Sequence, residues 1–344
     1  TPPYTSSAAS DVYKRQNSHT LTSRVAVKVI LYRSFLNTDI PHLADIWRSH
    51  PPMRGFLQGV TPTLLERYVY SKPYFDQHGL IVATEEDRCI GFAHAGFGPS
   101  DDLASTSPRQ GAISAVRVLQ REDRFDVGKK LLKLAENYLR DAGCHRIVAG
   151  GQFPVIPFYL GLYGGCRMPG ILKEDEVSLE HFRQSGFEEV GRQSIMHCSL
   201  TKFRPTVNRQ QMANRRTHQV MAAFDPSAES WWEACTLGWA ERVRFTLQEK
   251  NARTPCGQVM FWDMEPLSSQ WGVRSMGLYD LGIDIDKRRC GRATYLVGEA
   301  LRQLASQSVA LVEVQVNPRE VGVAELFNKL GFEEVDEGIL LEKK

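Results

Sequence analysis

Apolar positions along the chain keep changing period. Short runs with strand-like alternation or density cover residues 27–33, 80–84, 89–96, 112–119 and 146–149. They return over 220–224, 258–265, 275–285 and 309–316, where Val312, Val314 and Val316 face one way and Glu313 and Gln315 the other. Between them the spacing becomes helical. Leu131, Leu132, Ala135, Tyr138 and Leu139 share a face over residues 128–140, and Ala293, Leu296, Val297, Ala300, Leu301 and Leu304 share one over 292–305. Shorter helices are expected over 40–48, after the capping residues Asn37-Thr38-Asp39, and over 175–183. Residues 226–249, with Trp231, Trp232 and Trp239, read as one longer helix. The first half thus predicts the order β-α-β-β-β-α-β-α-β.

A pattern recurs at long range. Phe182-Arg183-Gln184-Ser185-Gly186-Phe187-Glu188-Glu189-Val190 and Phe327-Asn328-Lys329-Leu330-Gly331-Phe332-Glu333-Glu334-Val335 share F-x-x-x-G-F-E-E-V, 145 residues apart. Solenoid units run to about 20–50 residues, so this spacing signals a duplicated domain. The expected division is an N-terminal domain over 17–200, a linker over 201–217 and a C-terminal domain over 218–344. The linker carries Lys202, Arg204, Arg209, Arg215 and Arg216 and no acidic residue. It reads as a solvated connector; no aromatic residues interleave to stack nucleic acid bases. Residues 153–174 are rich in Gly and Pro and make the first half about 20 residues longer than the second at that point. Either they close over a substrate or they form a surface loop, and Phe153, Phe158, Tyr159 and Tyr163 argue for packing.

Composition narrows the class. The 344 residues are 42% hydrophobic and 24% charged, with a net charge of +2, so no strong pull toward nucleic acid or membrane is expected. Seven scattered cysteines without a C-x-x-C suggest neither a disulfide framework nor a metal site, and a reducing cytoplasm is the simplest home. No apolar run is long enough to span a bilayer. Residues 1–16 are set aside: Asp11-Val12-Tyr13-Lys14-Arg15-Gln16 translates the end of a sequencing adaptor, and the alternative is a disordered terminus.

The candidate chemistry lies in a loop and a tail. Arg288-Arg289-Cys290-Gly291-Arg292-Ala293 reads R-x-x-G-x-A between a strand and an apolar helix. Small residues at 291 and 293 let backbone N–H groups approach a diphosphate, and the helix adds its positive end. The tail is Leu326-Phe327-Asn328-Lys329-Leu330-Gly331-Phe332. Together they resemble the acetyl-CoA site of the GNAT N-acetyltransferases, whose loop reads Q/R-x-x-G-x-G/A and whose tail often closes in L-Y-x-x-x-G-F. The resemblance covers most of residues 27–344 and is strongest over 278–335. It implies an α/β protein of two tandem acyl-CoA N-acyltransferase (GNAT) domains, each a mixed, mostly antiparallel sheet flanked by helices.

The activity so implied is acetyl-CoA-dependent N-acetylation of a small-molecule or peptide amine by direct attack, without a metal. The partners implied are the amine acceptor, with no nucleic acid and no membrane, in a monomer or homodimer. Cofactor contacts are expected from Ile283, Asp284, Ile285, Arg288, Arg289, Cys290, Gly291, Arg292, Ala293, Thr294, Asn317 and Phe327. The family's carbonyl-polarising bulge is expected near Ile283 and Ile285. Asp280, Asp284 and Glu265 are base candidates; because Phe327 stands where the family usually has tyrosine, a water, Tyr279 or Tyr295 could protonate the leaving thiolate, or no acid is needed. In the first half Asp126 falls on the first glycine position, opposing a phosphate, although Gly128, Lys129 and Lys130 could still touch one. That half is expected to keep the fold without the cofactor. The rival reading is a pseudoenzyme that binds acyl-CoA without turnover.

Overall fold

A computed structural model describes residues 29–344. The adaptor-like segment and the beginning of the strand expected at 27–33 lie outside the described residues. The first half runs β1 (Ile30–Ser34), α1 (Ile40–Arg48), α2 (Pro62–Leu65), β2 (Leu80–Glu85), β3 (Arg88–Pro99), β4 (Thr106–Val118), α3 (Arg124–Asp141), β5 (Arg146–Ala149), β6 (Ile171–Leu172), α4 (Glu176–Gln184) and β7 (Glu188–Ser199). The linker holds α5 (Arg209–Thr217). The second half runs β8 (His218–Phe224), α6 (Trp231–Leu237), β9 (Arg242–Glu249), β10 (Pro255–Asp263), α7 (Glu265–Trp271), β11 (Ser275–Ile283), α8 (Arg292–Ser306), β12 (Leu311–Val316), α9 (Val321–Lys329) and β13 (Glu333–Lys343).

The halves do not close their sheets separately. The main strand order is β1-β2-β3-β4-β5-β13-β7-β12-β11-β10-β9-β8, with β6 paired beside β13. Strand β7 leaves its own half to pair with β12, from Leu311 opposite Ser199 to Val316 opposite Ser194. Strand β13 returns to the first half, where Glu342 and Lys343 face Val148 and Ile147 on β5. The two exchanged strands also pair with each other from Glu333 opposite His197 to Glu342 opposite Glu188. One shared sheet leaves two edges where two separate sheets would leave four, and each edge is a row of unpaired backbone groups.

The repeated motif makes the same corner twice. Gly186 and Gly331 both have φ of +84°, the left-handed region that stops a helix at low cost when no Cβ is present. Phe187 N–H bonds Phe182 C=O at 3.1 Å, and Phe332 N–H bonds Phe327 C=O at 3.0 Å. Each pair of rings then meets edge to face, at 5.0 Å and 5.1 Å between centroids.

Two expectations change. The stretch 226–249 is helical only over Trp231–Leu237, and β9 follows. There Val243, Phe245 and Leu247 enter the core while Arg242, Arg244 and Thr246 point to the other face, an alternation masked by the tryptophans before it. The linker is no solvated connector: α5 carries buried Gln211 and Asn214.

Three cores result. Leu131, Leu139, Phe182 and Phe187 pack under α3 and α4, and Phe245, Phe261, Leu301 and Phe327 under α8 and α9. The third joins the halves through Trp47, Phe56, Tyr159, Trp232 and Trp262. The 153–174 insertion belongs to it and is neither a lid nor a surface loop. Its Phe158 stacks on His94 at 4.0 Å and its Tyr159 on Trp47 at 5.2 Å. Farther on, Cys166 N–H bonds Glu313 Oε1 at 2.6 Å, and Gln315 Nε2 donates to the carbonyls of Gly164 and Arg167.

Candidate functional site

Strands β11 and β12 run parallel from Ser275 opposite Leu311 to Leu278 opposite Val314, where their pairing ends. Beyond that point β11 continues to Ile283. Its ladder with β10 slips between Gln258 opposite Gly282 and Met260 opposite Tyr279, so Asp280 and Leu281 form a bulge. Asp280 sits at φ +50°. The bulge therefore precedes the expected position near Ile283 and Ile285. Ile283 is buried, while Asp284 and Ile285 are exposed on the turn that follows.

That turn delivers the chain to the loop. Arg289 and Gly291 adopt φ of +62° and +66°, and Gly291 caps the 15-residue helix α8. The left-handed turns alternate with ordinary ones, which makes successive amides converge. Tyr295 N–H bonds Gly291 C=O at 3.0 Å, but the amides of Arg289, Cys290, Gly291, Arg292, Ala293 and Thr294 have no acceptor among the described residues. These residues are exposed or half-buried, and the first amides of any helix lack an intrahelical acceptor, so the run is open to water or to an anion. The loop is braced from within: Arg288 Nε donates to Ile283 C=O at 2.8 Å and Arg292 Nη1 to Lys287 C=O at 2.9 Å. The field is positive. Burial, and next the charge of Arg292, push His218 below its ordinary pKa.

The other predicted residues scatter. Asp280 is exposed and accepts from Gln258 Nε2 at 2.8 Å. Tyr279 is half-buried beside the bulge, but its hydroxyl donates to Glu233 Oε1 at 3.3 Å, and burial with the Glu233 charge raises its pKa. Arg242 Nη1 holds the same Glu233 oxygen at 2.9 Å. Glu233 lies on α6, and no sequence pattern ties it to Tyr279 46 residues away. Glu265 is not on a strand of the site: it opens α7 at the far end of β10, exposed and 3.8 Å from Arg67. Phe327 is buried at the Phe332 corner rather than turned toward the loop. Asn317 follows β12, and its Oδ1 accepts the amide of Arg319 at 3.0 Å. Tyr295 and Thr294 lie in the first turn of α8, both half-buried.

The corresponding place in the first half is built differently. Helix α3 already begins at Arg124, so Asp126 and Gly128 are helical, and no left-handed residue precedes them there. A Cβ at Gly128 would run into the His181 ring, so this glycine serves helix packing and is not free to meet a phosphate. Arg121 is tied to Asp123 and, at 3.0 Å, to Glu85. Arg117 at the end of β4 is buried, 2.7 Å from Asp175, with its guanidinium 5.4, 5.1 and 5.3 Å from the rings of Trp47, Phe56 and Tyr163. Burial alone would raise the Asp175 pKa, but the Arg117 charge and hydrogen bond hold it below the usual carboxylate range.

Two surface hollows, of about 580 Å³ beside Lys202, Arg204 and Lys329 and about 410 Å³ beside Trp239, Arg274 and Gln307, lie at the opposite end of the strands from the loop. Among the described residues no cluster of His, Cys, Asp and Glu could hold a metal ion, and no helix is long and apolar enough to cross a membrane.

A doubled α/β unit, with parallel strands splayed beside a bulge and a glycine loop at a helix start, is the architecture of an acyl-CoA N-acyltransferase. Residues 44–162 match the model of the Acetyltransferase (GNAT) family. That match falls in the first half, not in the half carrying the intact loop. Solved structures share the fold. The GCN5-related glucosamine N-acetyltransferase region of a fungal multi-domain GH3 β-N-acetylglucosaminidase aligns at TM-score 0.63 and 12% identity over 93% of this chain. This chain spans only 38% of that protein's length. A tandem GNAT protein from the clavulanic acid biosynthesis pathway aligns at 0.59 and 10% identity, covering 92% of this chain and 98% of its own. A GCN5-related N-acetyltransferase from Sphaerobacter thermophilus aligns at 0.59 and 14% identity, covering 91% and 95%. A search of curated proteins finds no match. Residues 44–162 thus resemble the GNAT family, and the chain as a whole shares the fold of tandem two-domain GNAT proteins.

Proposed function

We propose that this protein is an acetyl-CoA-dependent N-acetyltransferase whose single cofactor site lies in residues 218–344. The observation that carries the reading is the row of six unpartnered amides from Arg289 to Thr294 beneath a left-handed Gly291. The fit is good: the donors converge, the 15-residue helix α8 adds its positive end, and Arg289 brings charge without a carboxylate partner among the described residues. Ile283, Asp284, Ile285 and Arg288 shape the approach, and Asn317 closes the end of β12. When bound, acetyl-CoA supplies the activated acyl group. Backbone N–H groups at the Asp280–Leu281 bulge polarise its carbonyl, as oxyanion donors do. Asp280 is the group at the bulge able to take a proton from the incoming ammonium, directly or through water. Tyr279, its hydroxyl committed to Glu233, would leave the thiolate of a bound CoA to take its proton from solvent.

A second reading, an acyl-CoA binder without turnover, is favoured by one observation. Phe327 is buried in the core and the Tyr279 hydroxyl is committed to Glu233, so neither offers an acid. Isothermal titration with CoA, followed by thiol release from acetyl-CoA with a panel of amines that includes glucosamine, separates the readings. Binding with turnover supports the enzyme, binding without turnover on any amine supports the binder, and no binding removes both.

A further inference from the structure

The basic linker became a helix packed on the cofactor loop, and its polar contacts run to that loop. Asn214 Nδ2 donates to the carbonyl of Cys290 at 3.1 Å, and Gln211 Nε2 donates to the carbonyl of Gly291 at 3.2 Å. Gln210 lies against the same turn; a Cβ on Gly291 would stand 2.6 Å from its Oε1. Gln211 and Asn214 are three residues apart and so share one helical face, and they are 7% exposed on a helix whose remaining residues face water. The helix is anchored at its start by Asn208, whose Oδ1 accepts the Gln211 amide at 2.9 Å. At its end Lys250 Nζ donates to the Arg215 carbonyl at 2.7 Å.

A peptide unit has two faces. Fixing the carbonyls of Cys290 and Gly291 on the α5 side orients the amides of Gly291 and Arg292 away from it, since carbonyl and following N–H point in opposite directions across a planar trans peptide. These contacts add to the loop's own bracing by Arg288 and Arg292, and Arg289 holds a left-handed conformation that costs energy for a non-glycine residue. The three arginines of α5, Arg209, Arg215 and Arg216, form no ion pair among the described residues, so the element that fixes the loop is also cationic.

We propose that α5 is a positioning element for the cofactor loop: Gln211 and Asn214 hold its carbonyls so that its amides stay turned toward the diphosphate of CoA. The proposal rests on the loop being the CoA site. It also gives the linker between the halves a role in the second half's chemistry, because moving α5 would release the loop.

The test uses the full chain, CoA as probe, and the neutral, size-matched variants Gln211→Met and Asn214→Leu. Calorimetry should show CoA binding about tenfold or more weaker in the double variant, as expected when two hydrogen bonds that order a binding loop are lost. Amide exchange in the ligand-free variant should quicken over residues 289–294 while the sheet exchanges as in the wild type. A folded double variant with wild-type affinity, or weaker affinity with unchanged loop exchange, would overturn the proposal. Should the double variant not fold, the wild type answers: CoA must slow exchange in α5 together with 289–294, and an unresponsive α5 would sink the idea. If the wild type itself binds no CoA, the cofactor-site reading fails as well, which separates that failure from this one.

Discussion

His197 Nε2 stands 2.7 Å from Glu313 Oε2, a pair that spans the junction between β7, contributed by the first half, and β12, contributed by the second. Both side chains are buried, Arg54 from the first half caps the other ring nitrogen, and the remaining Glu313 oxygen holds the Cys166 amide of the insertion. Four segments thus meet around the His197–Glu313 pair. Glu313→Ala strands His197, Arg54 and the Cys166 amide, and should cost about 3 kcal/mol or more, read by urea denaturation. The loss should appear in one transition, because the exchanged strands couple the halves. Two transitions in the wild type would show that the shared sheet does not unite them.

Cofactor stoichiometry is expected to be one CoA per chain. Gly291→Asp forces a Cβ toward Gln210 and sets a carboxylate beside the open amides. CoA affinity should fall by about a hundredfold, a loss of about 3 kcal/mol, with the fold retained. Titration giving two equivalent sites, or an unchanged constant in the variant, would reject the assignment.

Gly128 offers the mirror experiment. Its helical position against His181 leaves no space for a methyl group, so Gly128→Ala should destabilise by about 1–3 kcal/mol through overpacking. CoA binding should not change. A variant of normal melting temperature that had lost CoA would move the site to the first half.

Three buried histidines make stability acid-sensitive. Burial brings His94 down to about 3; burial, with the nearby charge of Arg117, brings His50 and His181 down to about 4. Arg124 also faces both of the latter; Asp175 opposes it at both rings, and at His50 the Ile46 carbonyl does so as well. Because the folded pKa lies below the unfolded value of about 6.5, the unfolded chain binds more protons. Stability should therefore be fully present above pH 6.5 and fall as pH drops through 6 to 4. Denaturation midpoints measured across that range check it, and a flat profile would show that these rings reach water.

Tyr279→Phe should leave CoA affinity unchanged and lower turnover only a few-fold, because its hydroxyl serves Glu233. Asp280→Asn should reduce kcat by about a hundredfold if Asp280 takes the proton, with KM for acetyl-CoA little affected. Steady-state kinetics with an accepted amine decides between them; the opposite ranking would make Tyr279 the acid.

The sequence by itself determined the duplication, most of the strands and helices, and the place of the loop. These are local matters. Apolar period reports which face of an element is buried, and the glycines at 186, 291 and 331 report backbone angles that other residues adopt only at a cost. Tertiary structure alone decided the rest. Whether β7 pairs with β5 or with β12 depends on long-range hydrogen bonding, to which alternation is blind. The insertion's glycines and prolines look like those of a free loop, yet its Phe158, Tyr159 and Tyr163 rings are buried in the core that joins the halves. The basic linker packs on the 288–293 loop because the side-chain amides of Gln211 and Asn214 meet carbonyls about 80 residues away in sequence. Phe327 looked like a replaced acid, and its corner with Phe332 turns it into the core. Glu233 meets Tyr279 only because the chain folds α6 against β11. Chemistry between distant residues is fixed by packing, and packing is where one-dimensional pattern stops carrying information.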